Sequence, residues 1–274
     1  MIYSFEPAWN PTLIRRVEEC RDTGSEVVEV VTNQGRAFAK FLGNREGPHV
    51  LACETLGTNL AELFGLPTFE RAVFDYDGFP EVELYSRGVA QAGPAWISRL
   101  EEGITWSGRK EDLNLISNKA DLAKLVILDT WILNCDRYDP RTRRVNRNNV
   151  FFSRKDPGVL PFRLMAMDHT HSFTCGRPLG ARLSSIEYIK NDTILGLFPE
   201  FKEVITYADL VAAQNALGKI PTGEIEHAVD DLPDEWEIDN SIRTTLKTFL
   251  NQRRDYVIED LSTRIIDQPE LDLE

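Results

Sequence analysis

Along the first hundred residues, apolar positions come in short runs or alternate with polar ones, the two-residue period of extended chain. Residues 26–32 are rich in valine, residues 36–42 alternate, and Asn33-Gln34-Gly35 between them is a hairpin signal. The spacing then turns helical. Gly47-Pro48 opens residues 49–64, with Leu51, Leu56, Leu60 and Leu63 as the apolar positions; Gly65 stops the helix and Pro67 lies just beyond. Strand-like segments follow at residues 68–75, 81–84 and 95–100.

From Leu113 the helical period dominates. Asn118 is placed to cap a helix over residues 119–134, whose apolar positions are Leu122, Leu125, Val126, Leu128, Ile132 and Leu133. Two short strands are expected at 150–153 and 163–167, and several helices between 184 and 266. The pattern predicts an α+β fold of two lobes. A small β-rich N-lobe with one helix would cover residues 1–100 and a larger, mainly helical C-lobe residues 101–274, with the boundary near 98–103. Residues 268–274 are acidic and expected to fray.

Composition narrows the function. The 274 residues suffice for a substantial core. A net charge of −13 disfavours general binding to nucleic acid or anionic membrane, so any phosphate site must come from local positive charge. Cys20, Cys53, Cys135 and Cys175 form no CxxC pair, and we expect four free thiols in a reducing, cytoplasmic setting. Residues 1–7 lack a signal-peptide pattern, and no apolar run approaches the roughly 20 residues that span a bilayer.

The chemistry concentrates between Asn134 and His169. Asn134-Cys135-Asp136-Arg137 leaves a helix, Asn148-Asn149 enters the short strand Val150-Phe151-Phe152, and Met167-Asp168-His169 leaves the next. Magnesium-dependent phosphoryl transfer needs such a set: one carboxylate for the acceptor hydroxyl, and an amide oxygen with a second carboxylate for the metals on the ATP phosphates. Lys40, in Phe38-Ala39-Lys40-Phe41, is a strand lysine flanked by apolar residues, and Glu54 in the following helix is its candidate partner.

In this order, Phe-Ala-Lys-Phe at 38–41, Gly47, Glu54, Leu-Phe-Gly-Leu-Pro at 63–67, Trp-Ile-Leu-Asn-Cys-Asp-Arg at 131–137, Asn149-Val150-Phe151 and Met167-Asp168-His169 resemble the HipA-like kinase family. Its wider relatives are the phosphoinositide kinases and protein kinases. The resemblance covers roughly residues 25–175. It implies a protein-kinase-like fold with ATP and Mg2+ as cofactors. It further implies that Lys40 contacts the ATP phosphates and pairs with Glu54, that Asp136 is the catalytic base, and that Asn149 and Asp168 ligate metal. Ser98 to Leu100 would be the hinge against adenine, and the hairpin carrying Gly35 would cover the phosphates. Three departures stand out. The hairpin has Gly35 as its single glycine, Asp136 and Asn149 are 13 positions apart with Asn148 as a competitor, and Asp168 is followed by His-Thr-His.

The implied activity is phosphotransfer to an alcohol, with a protein Ser/Thr as the expected acceptor. The alternatives are a small-molecule or lipid-head-group kinase, and a catalytically weak nucleotide-binding regulatory module. His169 and His171 could suggest zinc but lack a third ligand. Cys135 lacks a base that would make it a nucleophile. The acidic run 230–235 reads as a solvated loop. Arg137, Arg141, Arg143, Arg144 and Arg147 put five arginines in eleven residues; they form either a solvated insert or a cluster recruiting an anionic acceptor.

Overall fold

The computed structural model of the chain describes residues 9–155 and 160–267. The expectations for residues 1–7 and 268–274 lie outside them. In chain order the elements are β1 (Ile14–Cys20), β2 (Val28–Thr32), β3 (Gly35–Leu42), α1 (His49–Leu63), β4 (Arg71–Tyr76), β5 (Gln91–Arg99), β6 (Gly103–Thr105), α2 (Asp121–Trp131), β7 (Tyr138–Asp139), β8 (Arg144–Val145), β9 (Phe151–Ser153), β10 (Arg163–Met165), α3 (Ile186–Ile189), α4 (Pro199–Lys202), α5 (Tyr207–Gly218), α6 (Thr222–Asp230) and α7 (Asn240–Asp267).

Strands β1-β2-β3-β5-β4 form an antiparallel sheet in that spatial order. Alternation sorts its residues into two layers. Ala37, Ala39 and Phe41 of β3, with Ala95 and Ile97 of β5, pack into an outer core closed by Trp9, Val82 and Leu84. Trp96, between Ala95 and Ile97, faces the opposite way into the larger core. Helix α1 lies in that larger core, and residues Val50 to Ala61 are all buried. A helix apolar or satisfied on every side is an interior helix, so α1 joins the sheet to the helical half. The three-stranded sheet β10-β9-β6 and the hairpin β7-β8 follow, and α7 packs across α5, α6 and α2.

Three elements differ from the sequence expectation. Residues 81–84 make an isolated bridge (Glu83 to Val89) and an Ala90 N–H to Val82 O bond instead of a strand; Val82 and Leu84 point inward but have no long partner. Strand β1 lacks the two-residue alternation: its inward residues Ile14, Val17 and Cys20 are three apart, because register shifts after Ile14 and Val17 break the period. Asn118 does not cap α2. Its amide donates to the Asp121 carboxylate (2.8 Å) and Leu164 O (3.1 Å), while its oxygen accepts the Leu164 N–H (2.8 Å), splicing α2 to β10.

The cysteines also depart from expectation. Cys135 and Cys175 are disulfide-bonded with Cα atoms 5.7 Å apart, a spacing a bridge requires. Only Cys20 and Cys53 are free among the described residues. A separation of 40 residues hides the pair from spacing rules, and the free-thiol argument for a reducing compartment no longer holds. The acidic run is solvated as expected, with Asp230, Asp231, Asp234 and Glu235 all exposed, and two surface pairs, Asp230 with Lys247 (2.7 Å) and Asp234 with Arg243 (2.6 Å), tie it to α7. Among the described residues no helix is long and apolar enough to cross a membrane.

Candidate active site

Lys40 is buried on β3 opposite Trp96, and its ammonium stacks over that ring at 5.1 Å from the centroid. It donates to Glu54 Oε2 at 2.9 Å and lies 3.4 Å from Asp168 Oδ1. Glu54 Oε2 also accepts the backbone N–H of His169 (3.0 Å), so α1 grips the residue after Asp168. Burial alone would lower the Lys40 pKa, but Glu54 and Asp168 outweigh it and hold the ammonium charged. One ammonium thus serves two carboxylates. Burial pushes the Glu54 carboxyl up, and the Asp168 anion adds to that. Asp168 resists its own burial: Lys40, the Thr170 hydroxyl, His171 and Arg137 hold it down to about 2. Its φ of 55° is left-handed, a conformation Asp tolerates better than most residues.

The second cluster surrounds Asp136. Asn149 Nδ2 (2.8 Å) and Asn146 Nδ2 (3.1 Å) both donate to Asp136 Oδ2. Arg144 Nε lies 2.9 Å from Oδ1, and His171 Nδ1 is 4.0 Å from Oδ2. Asn149 is buried and turned to the base, whereas Asn148 is exposed. Because the Asn149 side-chain nitrogen is spent on Asp136, its side-chain oxygen Oδ1 is the atom left for a cation.

Arg137 fixes these parts relative to one another. Its guanidinium is fully buried, pairs with Asp129 Oδ2 of α2 (2.7 Å), and donates to Asn149 O and to Met167 O (2.9 Å). Asn134 completes the turn: its amide donates to Asp129 Oδ1 (3.0 Å) and its oxygen accepts the Asp136 N–H (3.2 Å). Leu133 takes φ 53° to bring the chain round. Behind it, the buried Arg253 of α7 donates to the carbonyls of Thr130, Trp131, Tyr188, Ile189 and Asn191, closing the C-terminal end of α2. The sequence pattern placed Arg137 in a basic insert and missed Asp129, Asn146 and Arg253. A carboxylate inside the apolar spacing of α2 was the available signal for Asp129.

The expectation for Gly35 needs correction. Gly35 lies at the β2–β3 turn, five residues from Lys40 along an extended strand, roughly 16 Å at ~3.3 Å per residue. That turn is tied to the N-terminal segment, through Thr12 N–H to Asn33 Oδ1 (3.0 Å) and Gln34 Nε2 to Asn10 O (2.9 Å). The register puts Val28 opposite Ala39, so the β1–β2 connection, residues 21–27, is the one at the Lys40 end. It carries Gly24, where a Cβ would overlap the Glu46 carboxylate. Glu46 in turn contacts His171 Nε2 (3.3 Å) and raises its pKa. Ser98 is buried on β5, two positions from Trp96 and so on the Lys40 face. Leu100 spends its N–H on Arg36 O (3.0 Å) and has none to offer adenine.

His169 is buried with both ring nitrogens unpartnered, and burial together with Arg137 pushes its pKa down to about 3. Among the described residues no three His, Cys, Asp or Glu side chains converge on a metal position. Hard oxygen donors from Asn149 and Asp168 suit magnesium, which binds through one or two protein groups and completes its shell with phosphates and water. A cleft of about 100 Å³ touches Thr170, Gly176 and the start of α1, next to these clusters but not between them.

Neither family models nor curated proteins yield a match to the chain. Solved structures do. The crystal structure of a Helicobacter pylori proinflammatory kinase, CtkA, superposes with TM-score 0.61 over 94% of this chain and 98% of that one, at 14% identity. The fold is kinase-like. A Shewanella oneidensis MR-1 toxin–antitoxin complex of HipA, HipB and operator DNA matches with TM-score 0.48, covering 96% of this chain and 68% of that one at 9% identity. The kinase-like fold expected from the resemblance is therefore the one found, and at these identities the likeness concerns the fold.

Proposed function

We propose that the chain is an ATP- and Mg2+-dependent kinase that phosphorylates an alcohol, with a protein Ser or Thr as the acceptor. One observation carries this: residues 128 positions apart, Lys40 and Asp168, meet with Glu54 in one cluster, while Asn149 joins Asp136 in the adjoining one. No packing requirement brings a lysine, two acids, an amide and a third acid together in the order that phosphoryl transfer uses. Bound magnesium would neutralise charge on the phosphates.

The chain's own groups do the rest. Lys40, held charged by Glu54, presents an ammonium to phosphate oxygens. Asp168, ionised across the physiological range, and the Asn149 oxygen hold the cation. Asp136 accepts the proton of the acceptor hydroxyl, with Oδ2 fixed by two amides and Oδ1 facing the exposed residues 141–145. That open border favours a macromolecular acceptor, because small molecules bind in enclosed, mostly apolar cavities. The test is incubation with γ-labelled ATP and magnesium, alone and with a cell lysate, followed by identification of every labelled species. Label on Ser or Thr of a protein is the expected result. Label confined to small molecules would move the acceptor class, and no magnesium-dependent label would remove the kinase assignment.

A further inference from the structure

The five arginines of residues 137–147 have separate fates. Arg137 is an interior strut, Arg141 is held by the buried Asp139 (3.3 Å), and Arg147 reaches Glu200 and lies over Trp106. Arg144 is different. Its Nε sits 2.9 Å from Asp136 Oδ1, the carboxylate oxygen that no amide occupies. About half of its side chain is exposed (48%), and its Nη1 and Nη2 make no hydrogen bond among the described residues. The hairpin β7–β8 fixes the position by pairing Asp139 with Arg144. The neighbouring Arg143 is exposed and takes φ 57° at the turn.

We infer that Arg144 is the acceptor-specificity residue of this site and that it selects hydroxyls flanked by an anionic group, a carboxylate or a phosphate, on an acidic peptide. The inference rests on the kinase assignment above. An acceptor hydroxyl must approach Oδ1, where Arg144 now lies. A neutral acceptor displaces the guanidinium into water. An acceptor with an adjacent anion exchanges one partner for another, and the planar Nη fork matches a carboxylate or phosphate through two parallel bonds. The effect is local, since the chain as a whole carries −13 and repels anions elsewhere.

The experiment compares three Ser peptides, flanked by Asp, by Ala and by Lys, with a phosphoserine-flanked fourth to separate the two anions. The full chain, Arg144→Gln, Arg144→Lys and Arg144→Glu are assayed with magnesium-ATP at low and high salt. The wild type should prefer the acidic peptides in kcat/KM by on the order of tenfold, as charge-assisted hydrogen bonds allow. The preference should shrink with salt. Arg144→Gln should abolish it, Arg144→Lys should keep a part, and Arg144→Glu should turn it towards the Lys peptide. A wild type with measurable transfer but no acidic preference overturns the inference, as does an Arg144→Gln enzyme that keeps it. Fluorescence anisotropy with an Asp-flanked peptide carrying Ala for Ser gives a readout independent of turnover. Absence of transfer to every peptide counts against the protein-acceptor assignment, whereas equal anisotropy for wild type and Arg144→Gln counts against Arg144.

Discussion

At the residue scale, the proposed roles of Asp136 and Asn149 follow from which atoms each has left. The proposed task of Asp136 is to take the acceptor's proton and not to bind the nucleotide, so Asp136→Asn should cut phosphoryl transfer by about 10²–10⁴ while magnesium-ATP affinity stays close to wild type. Steady-state rates alongside nucleotide binding check it; wild-type turnover in the mutant would remove the base. The two asparagines can be told apart in the same way. Asn149 is buried at Asp136 and Asn148 is exposed, so Asn149→Ala should raise the magnesium concentration needed for ATP binding and Asn148→Ala should leave it unchanged. Lys40→Met leaves two carboxylates facing each other without their cation. Removing one partner of a buried pair costs about 3–5 kcal/mol, and denaturant unfolding should show a loss of that order together with a collapse of turnover.

At the scale of elements, single buried groups set the distances between segments. Arg137 joins α2, the approach to β9 and the approach to Asp168 through one guanidinium. Arg137→Met keeps much of the volume but strands Asp129 without a cation, and a destabilisation of about 3–5 kcal/mol is expected. Scanning calorimetry with and without magnesium-ATP checks this: a variant within experimental error of wild type would make the ion pair dispensable. Helix α1 contributes a second constraint. A Cβ at Gly57 would overlap the His169 Cβ, so Gly57→Ala should displace the residue after Asp168. Overpacking of this kind costs about 1–3 kcal/mol. The matching loss of activity should exceed that of an alanine at Gly223, where a Cβ meets nothing within 4 Å.

Across the whole molecule, acid sensitivity should centre on His169. Its ring is fully buried between α1 and the Arg137 strut, with a folded-state pKa of about 3 against an ordinary 6.5. Below pH 6.5 the unfolded chain binds a proton that the folded one refuses, so stability falls as the pH drops through 6.5 towards 3. One pKa unit is about 1.36 kcal/mol, which puts the loss on the order of 2 kcal/mol by pH 5. Urea unfolding of wild type and His169→Leu at pH 7.5 and pH 5, without magnesium, should show the larger drop in the wild type. Equal drops would place the acid sensitivity on other groups.

The local pattern of this chain carried most of its strands and helices and the residue types of its candidate site. Those are settled by side-chain period, by turn chemistry and by the few residues that can hold phosphate or take a proton. Lys40, Glu54, Asp136, Asn149 and Asp168 could be named as candidates for that reason. Contacts across the fold were not, since a residue's partner is chosen by packing rather than by neighbours in sequence. Arg137 looked like one more basic loop residue until α2 supplied Asp129. Gly35 looked like a phosphate turn until strand register placed residues 21–27 at the Lys40 end. Cys135 found Cys175 across 40 residues, and Arg144 found the one open oxygen of Asp136. Periodicity reports which face a side chain occupies, and only the closed tertiary structure decides what that face meets.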